Sequence, residues 1–224
     1  NTLPEKVFKK ALKQYNENDI YRNVINNLKT SIEKNINIDD IDYISGGERR
    51  DWFFSNIIAY LLKKPHISIY KDLKAVVSDS NFNNTSDISD LKGSKVLHIA
   101  DLFNTASSYI RAWIPAIENL NGKMVWSYVL VDRMQGAKEN VSKKGVKSFS
   151  LVDVDFSLFQ KAHELNILND KQLELLDKYC KNPDETMKQF LKSHPEFLEN
   201  ALNSDEKTMK RAKLLIDGNL YGLN

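Results

Sequence analysis

The stretch KVLHIADLFNTASSY, residues 95–109, decides the predicted fold. Its apolar segment from Val96 to Ala100 is typical of a strand that is buried in a sheet. Asp101 follows this segment, and the small polar residues 104–108 then lead into a helical pattern. A turn between a strand and a helix presents backbone N–H groups and the positive end of a helix dipole, and both favour phosphate. The stretch therefore predicts an anion site outside the carboxyl end of a strand.

The remainder of the chain alternates between strand and helix patterns. Helical spacing predicts two N-terminal helices, at residues 4–15 and 19–34, with Ile20 on the inward face of the second. Further strands are predicted at residues 42–45, 66–70, 123–131 and 147–152, with a helix at 107–120. This alternation predicts an α/β fold in which helices flank a mostly parallel sheet. We place the α/β domain at residues 1–155, including N-terminal helices 1–40, and a helical C-terminal extension at residues 156–224.

The composition argues against several function classes. With 32 basic and 30 acidic residues the formal charge is +2, which gives no global electrostatic case for a nucleic-acid or membrane partner. Cys180 is the single cysteine, which excludes an intrachain disulfide framework, and the four histidines show no metal-ligand spacing, so no protein metal site is predicted. No apolar run approaches the length of a membrane span and no signal-peptide pattern is present, so we expect a cytoplasmic protein.

A second anion site is indicated by the sequence GGERR at residues 46–50. Gly46 and Gly47 would allow a tight turn after the strand, and the guanidinium groups of Arg49 and Arg50 could bind phosphate oxygens in pairs. The alternative is an ordinary turn with a solvated charge cluster. The aromatic triplet at residues 52–54 favours a place in the core over a role as a stacking platform.

The 95–109 stretch resembles the phosphoribosyl-pyrophosphate (PRPP) motif of the type I phosphoribosyltransferases. That motif is an apolar strand, two acidic residues, two variable residues and a Thr-Thr-Gly-Gly-Ser-like turn. Asp101 falls on the second acidic position, and Thr105 and Ser108 fall on hydroxyl positions of the phosphate loop. The resemblance covers roughly residues 20–155 and implies a phosphoribosyltransferase-like α/β domain.

Four positions depart from the motif. Ala100 replaces the first acidic residue, Asn104 the first threonine, and Ala106 and Ser107 the two glycines. If the turn needs a positive φ angle, a side chain there costs about 1 kcal/mol or more.

Two further segments resemble orotate phosphoribosyltransferases in particular. Lys71 and Lys74 fall on the lysines of that subfamily's Arg-Lys-x-x-Lys pattern, whereas Tyr70 replaces the arginine. In the subfamily this pattern is followed by a mobile loop that closes over the site. Here it is followed by a long polar stretch at residues 77–92, which is expected to be either functional or disordered. The alternative is that both lysines are ordinary surface residues.

The sequence DRMQG, residues 132–136, resembles the Asp-Arg-x-x-Gly segment that grips the orotate carboxylate in the subfamily, which implies base binding by Arg133. A planar guanidinium recognises a carboxylate through two hydrogen bonds. The alternative is a surface arginine paired with Asp132 or Glu139.

The resemblance implies transfer of ribose 5-phosphate from PRPP to a pyrimidine-type base, with release of pyrophosphate and with Mg²⁺ as cofactor. Catalytic roles are implied for Lys74 and Asp101. PRPP binding is implied for Gly46, Gly47, Arg49, Arg50, Lys71, Asp101, Asn104, Thr105, Ala106, Ser107 and Ser108. A homodimer is also implied. The alternative function is a catalytically impaired nucleotide-binding or regulatory module, because the departures lie in the part that binds PRPP.

Overall fold

The computed structural model describes residues 2–222, which form two compact units, one up to Val154 and one from Asp155 onward. The first unit contains a seven-stranded sheet. Its strands are β1 (Tyr43–Gly47), β2 (His66–Ile69), β3 (Ala75–Ser78), β4 (Thr85–Asp87), β5 (Lys95–Phe103), β6 (Lys123–Asp132) and β7 (Lys147–Asp153). Their spatial order is β4-β3-β2-β1-β5-β6-β7.

Five neighbouring strands, β2-β1-β5-β6-β7, run parallel, and β3 and β4 add an antiparallel hairpin at one edge. The central strands are buried on both faces, which explains why β5 is a continuous apolar run rather than an alternating pattern. The predicted α/β class with a mostly parallel sheet is confirmed.

Helices cover both faces of the sheet. One face packs strand residues such as Ile44, Leu97 and Tyr128 against α1 (Leu3–Glu17), α2 (Asp19–Asn35) and α3 (Trp52–Leu62). The other face packs Ile67, Val96 and Val129 against α4 (Ile114–Glu118) and α5 (Ala137–Ser142). The residues between the sheet and the helices on its two faces form the core of this unit. Full burial of one aliphatic side chain in this core contributes about 1.5–3 kcal/mol to stability.

The second unit is helical, as predicted. Its helices are α6 (Phe156–Glu164), α7 (Asp170–Lys181), α8 (Pro183–Ser193), α9 (Pro195–Leu202) and α10 (Glu206–Asp217). Pro183 and Pro195 occupy first-turn positions, where the missing N–H group costs nothing. Within residues 2–222, no helix is long and apolar enough to cross a membrane.

Of the two alternatives for residues 77–92, functional or disordered, disorder is wrong, because the stretch contains part of β3 and all of β4. The Asp79 carboxylate accepts N–H groups from Asn81, Asn83 and Asn84 and thereby closes the hairpin turn. Phe82 at this turn is 2% exposed and stacks on Phe8 of α1, with ring centroids 4.4 Å apart. The strands are only four and three residues long, too short for their periodicity to identify them.

Three local predictions are also wrong. Gly46 and Gly47 lie inside β1, and the turn is formed by residues 48–51 instead. Asp101 lies within β5, which continues to Phe103 because parallel pairing with β6 extends that far. Ile20 is 79% exposed, since the buried stripe of α2 begins further along the helix.

Candidate active site

The carboxyl ends of β1 and β5 meet at one edge of the sheet, since these strands are adjacent and parallel. The segments that follow them border a cleft with a cavity volume of about 190 Å³. Its lining residues are Glu48, Arg50, Asp51, Ala100, Asp101, Leu102, Asn104, Ala106, Ser107, Ser108, Tyr109 and Trp113. The structure thus brings Arg50 of the predicted GGERR site to one cleft with most of the predicted turn at residues 104–108. Arg49 borders a separate cavity instead, and Thr105 is not among the residues that line the cleft.

Arg50 and Asp101 form an ion pair across the cleft, with Arg50 Nε 3.2 Å from Asp101 Oδ2. Burial is the largest cause that raises the pKa of Asp101, and the negative charge of Asp51 raises this pKa further. The Arg50 guanidinium acts in the opposite direction and lowers it. The Arg50 side chain is 80% exposed, so the pair contributes less than about 1 kcal/mol. An anionic ligand could therefore exchange this contact for its own at little cost.

Asp51 is a residue of the cleft that the sequence analysis missed. Its Oδ1 accepts the Asp101 N–H at 3.0 Å and its Oδ2 accepts the Gly47 N–H at 3.1 Å, so one carboxylate ties together the ends of β1 and β5. Asp51 stands at the N-cap position of α3 but makes no capping hydrogen bond. Its sequence signal, an acidic residue before a helix, is that of an ordinary cap and could not have revealed this role.

A buried imidazole lies beneath the carboxylates. His98 is fully buried in β5, and its Nδ1 lies 2.9 Å from Ser45 Oγ. Its Nε2 lies 3.8 Å from Asp51 Oδ2 and has no hydrogen-bond partner within residues 2–222. The ring packs edge-on against Tyr109, with centroids 4.9 Å apart. An unsatisfied buried polar atom costs about 1–3 kcal/mol, and departures of this kind from ideal packing occur at functional sites.

The predicted phosphate turn has one strained residue. Ala106 has φ +57°, in the left-handed region, whereas Ser107 is not among the positive-φ residues. The conformation costs about 1–2 kcal/mol for a residue with a Cβ atom. The turn is held by Asn140, whose Nδ2 donates to the Thr105 carbonyl at 3.0 Å. The predicted helix follows, with a π-helical segment at Tyr109–Trp113 before α4.

The two glycines of β1 are required by close packing. A Cβ atom at Gly46 would collide with the Ser55 side chain, and one at Gly47 would collide with the Trp113 ring. Neither glycine has a positive φ angle. The glycines therefore let α3 and the segment after β5 approach the strand.

The two lysines predicted to bind PRPP or act in catalysis are separated. Lys71 borders a cavity of about 480 Å³ that shares Glu48, Ser108 and Trp113 with the cleft. Lys74 instead pairs with Asp87 of β4, with Nζ 3.4 Å from Oδ1. Lys71 is thus placed beside the cleft, whereas Lys74 belongs to the edge hairpin.

Arg133 follows β6 at the same edge of the sheet but does not border the cleft. Its backbone N–H donates to the Phe103 carbonyl at 2.9 Å. Asp132 is 1% exposed and pairs with Lys138 at 3.3 Å rather than with Arg133. Across the described residues the Arg133 side chain makes no ion pair, which leaves its guanidinium available to a ligand.

Comparison with known proteins gives the same family as the sequence motifs. The chain is 42% identical over 71 residues to an orotate phosphoribosyltransferase of Pyrococcus horikoshii, covering 32% of this chain and 37% of that enzyme. It is 26% identical over 165 residues to that of Sulfolobus acidocaldarius, covering 73% and 78%. The first alignment thus spans little more than a third of the relative's length. No family model matches the chain.

Solved structures agree on the fold. Leishmania donovani UMP synthase matches with a TM-score of 0.58 and 18% identity, covering 76% of this chain and 35% of that one. Orotate phosphoribosyltransferase from Francisella tularensis matches with a TM-score of 0.51 and 16% identity, covering 70% and 76%. The chain therefore has the fold of the type I phosphoribosyltransferases and is related in sequence to the orotate phosphoribosyltransferases.

Proposed function

We propose that this chain transfers ribose 5-phosphate from PRPP to a ring nitrogen of a pyrimidine-type base and releases pyrophosphate. The observation that carries the proposal is the meeting of Arg50, Asp101 and the turn at residues 104–108 in one cleft. Orotate, the base that names the related enzymes, is the first candidate acceptor.

In this reaction the C1–O bond of PRPP breaks and pyrophosphate leaves with the electron pair. The base nitrogen forms the new bond to C1 and loses its proton. Positive charge develops on the ribose and negative charge on the pyrophosphate, so groups of opposite charge placed beforehand stabilise the transition state. Arg49, Arg50 and Lys71 are proposed to face pyrophosphate, and Asp101 the ribose hydroxyls.

The remaining proposed contacts involve the phosphate and the base. N–H groups of the turn and the hydroxyl groups of Thr105, Ser107 and Ser108 are proposed to bind the 5′-phosphate. Arg133 is proposed to bind the base carboxylate. Lys74 can join the pyrophosphate only if its ion pair with Asp87 opens.

Magnesium fits this proposal as an ion carried by the substrate. Within residues 2–222 no group of three or more His, Cys, Asp or Glu side chains could hold a metal. Mg²⁺ keeps several waters and needs only one or two protein carboxylates besides phosphate oxygens. Glu48 and Asp101 border the cleft and could provide them, and the ion would neutralise charge on the leaving pyrophosphate.

Calorimetric titration of Mg²⁺-PRPP tests the proposal. We expect micromolar binding that Asp101→Asn weakens about tenfold or more, equivalent to about 1.4 kcal/mol. Asp39→Asn, an exposed carboxylate outside the cleft, should bind like the unaltered chain. No binding by the unaltered, folded chain contradicts the proposal.

Product formation with orotate and other bases then separates the two functions. Formation of nucleotide and pyrophosphate is expected. Binding without turnover of any base would favour the regulatory module instead. The resemblance also leads us to propose a homodimer, for which light scattering should give twice the 25.8 kDa mass of the chain.

A further inference from the structure

A second, larger cavity lies beside the cleft, between α1 and the turn after β1. Its volume is about 700 Å³. It is lined by five cationic residues and three apolar ones, and no carboxylate is among them: Leu3, Lys6, Val7, Lys9, Lys10, Arg49, Arg50 and Phe53. Two of the cations face carboxylates outside the cavity lining: Arg49 lies 3.8 Å from Glu48 and Arg50 lies 3.2 Å from Asp101.

The lysines of this cavity come from one face of α1. Lys9 and Lys10 lie three and four residues after Lys6, so the side chain of each is a neighbour of Lys6 on the helix. All three are exposed, and within residues 2–222 none of them forms an ion pair. Like charges at this spacing destabilise a helix by a few tenths of a kcal/mol per pair. A polyanionic ligand would relieve this repulsion.

The apolar part of the cavity indicates more than an inorganic anion. Phe53 is 42% exposed and Leu3 is 38% exposed, although the sequence favours a core position for the aromatic triplet and neighbouring Trp52 is fully buried. An exposed aromatic ring surrounded by cations suits a ligand that carries an aromatic ring and several phosphates. A concave site of this volume is in the range of small-molecule sites.

We propose that this cavity binds a nucleoside polyphosphate, with the phosphates on the lysines and arginines and the base on Phe53. Arg50 borders both this cavity and the cleft, where it pairs with Asp101. A polyphosphate that engages Arg50 withdraws it from the cleft, so the two sites are coupled negatively, and the coupling is reciprocal. The binding step is independent of the proposed transferase activity, whereas the coupling rests on it.

Titration of uridine triphosphate and of inorganic tripolyphosphate into the full chain tests the site. The variant Lys6→Ala/Lys9→Ala/Lys10→Ala should bind both at least tenfold more weakly. The control Lys34→Ala/Lys143→Ala/Lys144→Ala removes the same charge from exposed positions outside the cavity and should bind as the unaltered chain does. Alanine is a better helix former than lysine, so the first variant should stay folded, which circular dichroism verifies.

Phe53→Ala tests the contribution of the base to binding separately from that of the phosphates. It should weaken binding of the triphosphate nucleotide severalfold and leave tripolyphosphate unchanged. Saturating nucleotide should weaken Mg²⁺-PRPP binding by the unaltered chain but not by the triple α1 variant. Equal nucleotide binding by the α1 variant and the unaltered chain overturns the proposal, as does stronger binding of a short RNA with the same phosphate count.

Discussion

Ala106 has an unfavourable backbone conformation, and Asp101 carries a carboxylate in an environment that disfavours its charge. Ala106 is left-handed at a position where the resembled motif has glycine, and Asp101 carries a carboxyl group whose pKa burial and Asp51 raise. Backbone strain and an unfavourable charge persist only where contacts with the surrounding structure hold the residue in place. Each can be released by one substitution.

Ala106→Gly relieves about 1–2 kcal/mol of backbone strain. Two effects of the substitution lower stability. Loss of the buried methyl group costs about 0.8 kcal/mol, and the greater conformational entropy of the unfolded chain costs about 0.4–1 kcal/mol. We therefore expect urea unfolding to change by less than about 1 kcal/mol, and Mg²⁺-PRPP to bind more tightly because the backbone can approach the phosphate. Ala116→Gly, buried within α4, lacks the relief and should lose about 1 kcal/mol or more. Weaker PRPP binding by Ala106→Gly would contradict this account.

Asp101→Asn should change the pH dependence of stability. With its pKa above the usual 3.8, native Asp101 holds its proton more strongly than the unfolded chain does. Stability therefore falls as pH rises through this window and stays lower above it. We expect the variant to be more stable than the unaltered chain near pH 7, with the difference vanishing below pH 3.8. A constant difference at all pH values in denaturant unfolding would contradict the shift.

Two contacts between residues that are distant in sequence each fix the position of an element in the first unit. The start of α3 supplies Asp51, which receives N–H groups from β1 and β5, and the hairpin β3–β4 is anchored on α1 through Phe82. In both cases one side chain sets the position of a whole segment.

Asp51→Asn removes one of two acceptor oxygens, because an amide offers a single carbonyl oxygen. One backbone N–H, of Gly47 or Asp101, then loses its partner at a cost of about 1–3 kcal/mol. We expect denaturant unfolding to show this loss and PRPP titration to show weaker binding. Asp39→Asn is the exposed control. Unchanged stability would show that water replaces the lost acceptor.

Phe82→Ala should release the hairpin from α1. Removing a fully buried phenyl ring costs about 3–5 kcal/mol. Hydrogen exchange should show faster exchange of β3 and β4 amides, with β5 amides changing less because they lie in the parallel part of the sheet. Asn81→Ala, exposed in the same turn, should leave exchange unchanged. Uniformly faster exchange throughout residues 2–154 would instead indicate global destabilisation.

At the scale of the whole molecule, buried polar groups make stability depend on pH. His66 is fully buried between Ser55 Oγ, 2.8 Å from Nε2, and Ser68 Oγ, 3.0 Å from Nδ1. Burial, then the neighbouring His98, lower the pKa of His66 to about 3.

The unfolded chain therefore binds a proton on His66 below pH 6.5 that the native state takes up only near pH 3. Stability should fall as pH falls across this range, because protons favour the unfolded state. His66→Gln should reduce the slope of the free energy of unfolding against pH between 6.5 and 3. An identical slope for His66→Gln and the unaltered chain would contradict the buried neutral imidazole.

The sequence by itself determined the fold class and singled out the two stretches that are predicted to bind anions, because strand and helix periodicity, glycines and local turn chemistry are properties of neighbouring residues. Residues 46–50 and 101–108 could be singled out in this way. Only the tertiary structure decided that these segments share one cleft, that Asp51 joins them and that Lys74 lies away from it. Those facts follow from the parallel pairing of β1 with β5 and from edge pairing of β3 with β4. Pairing between distant segments depends on the packing of the whole sheet, which no local pattern encodes.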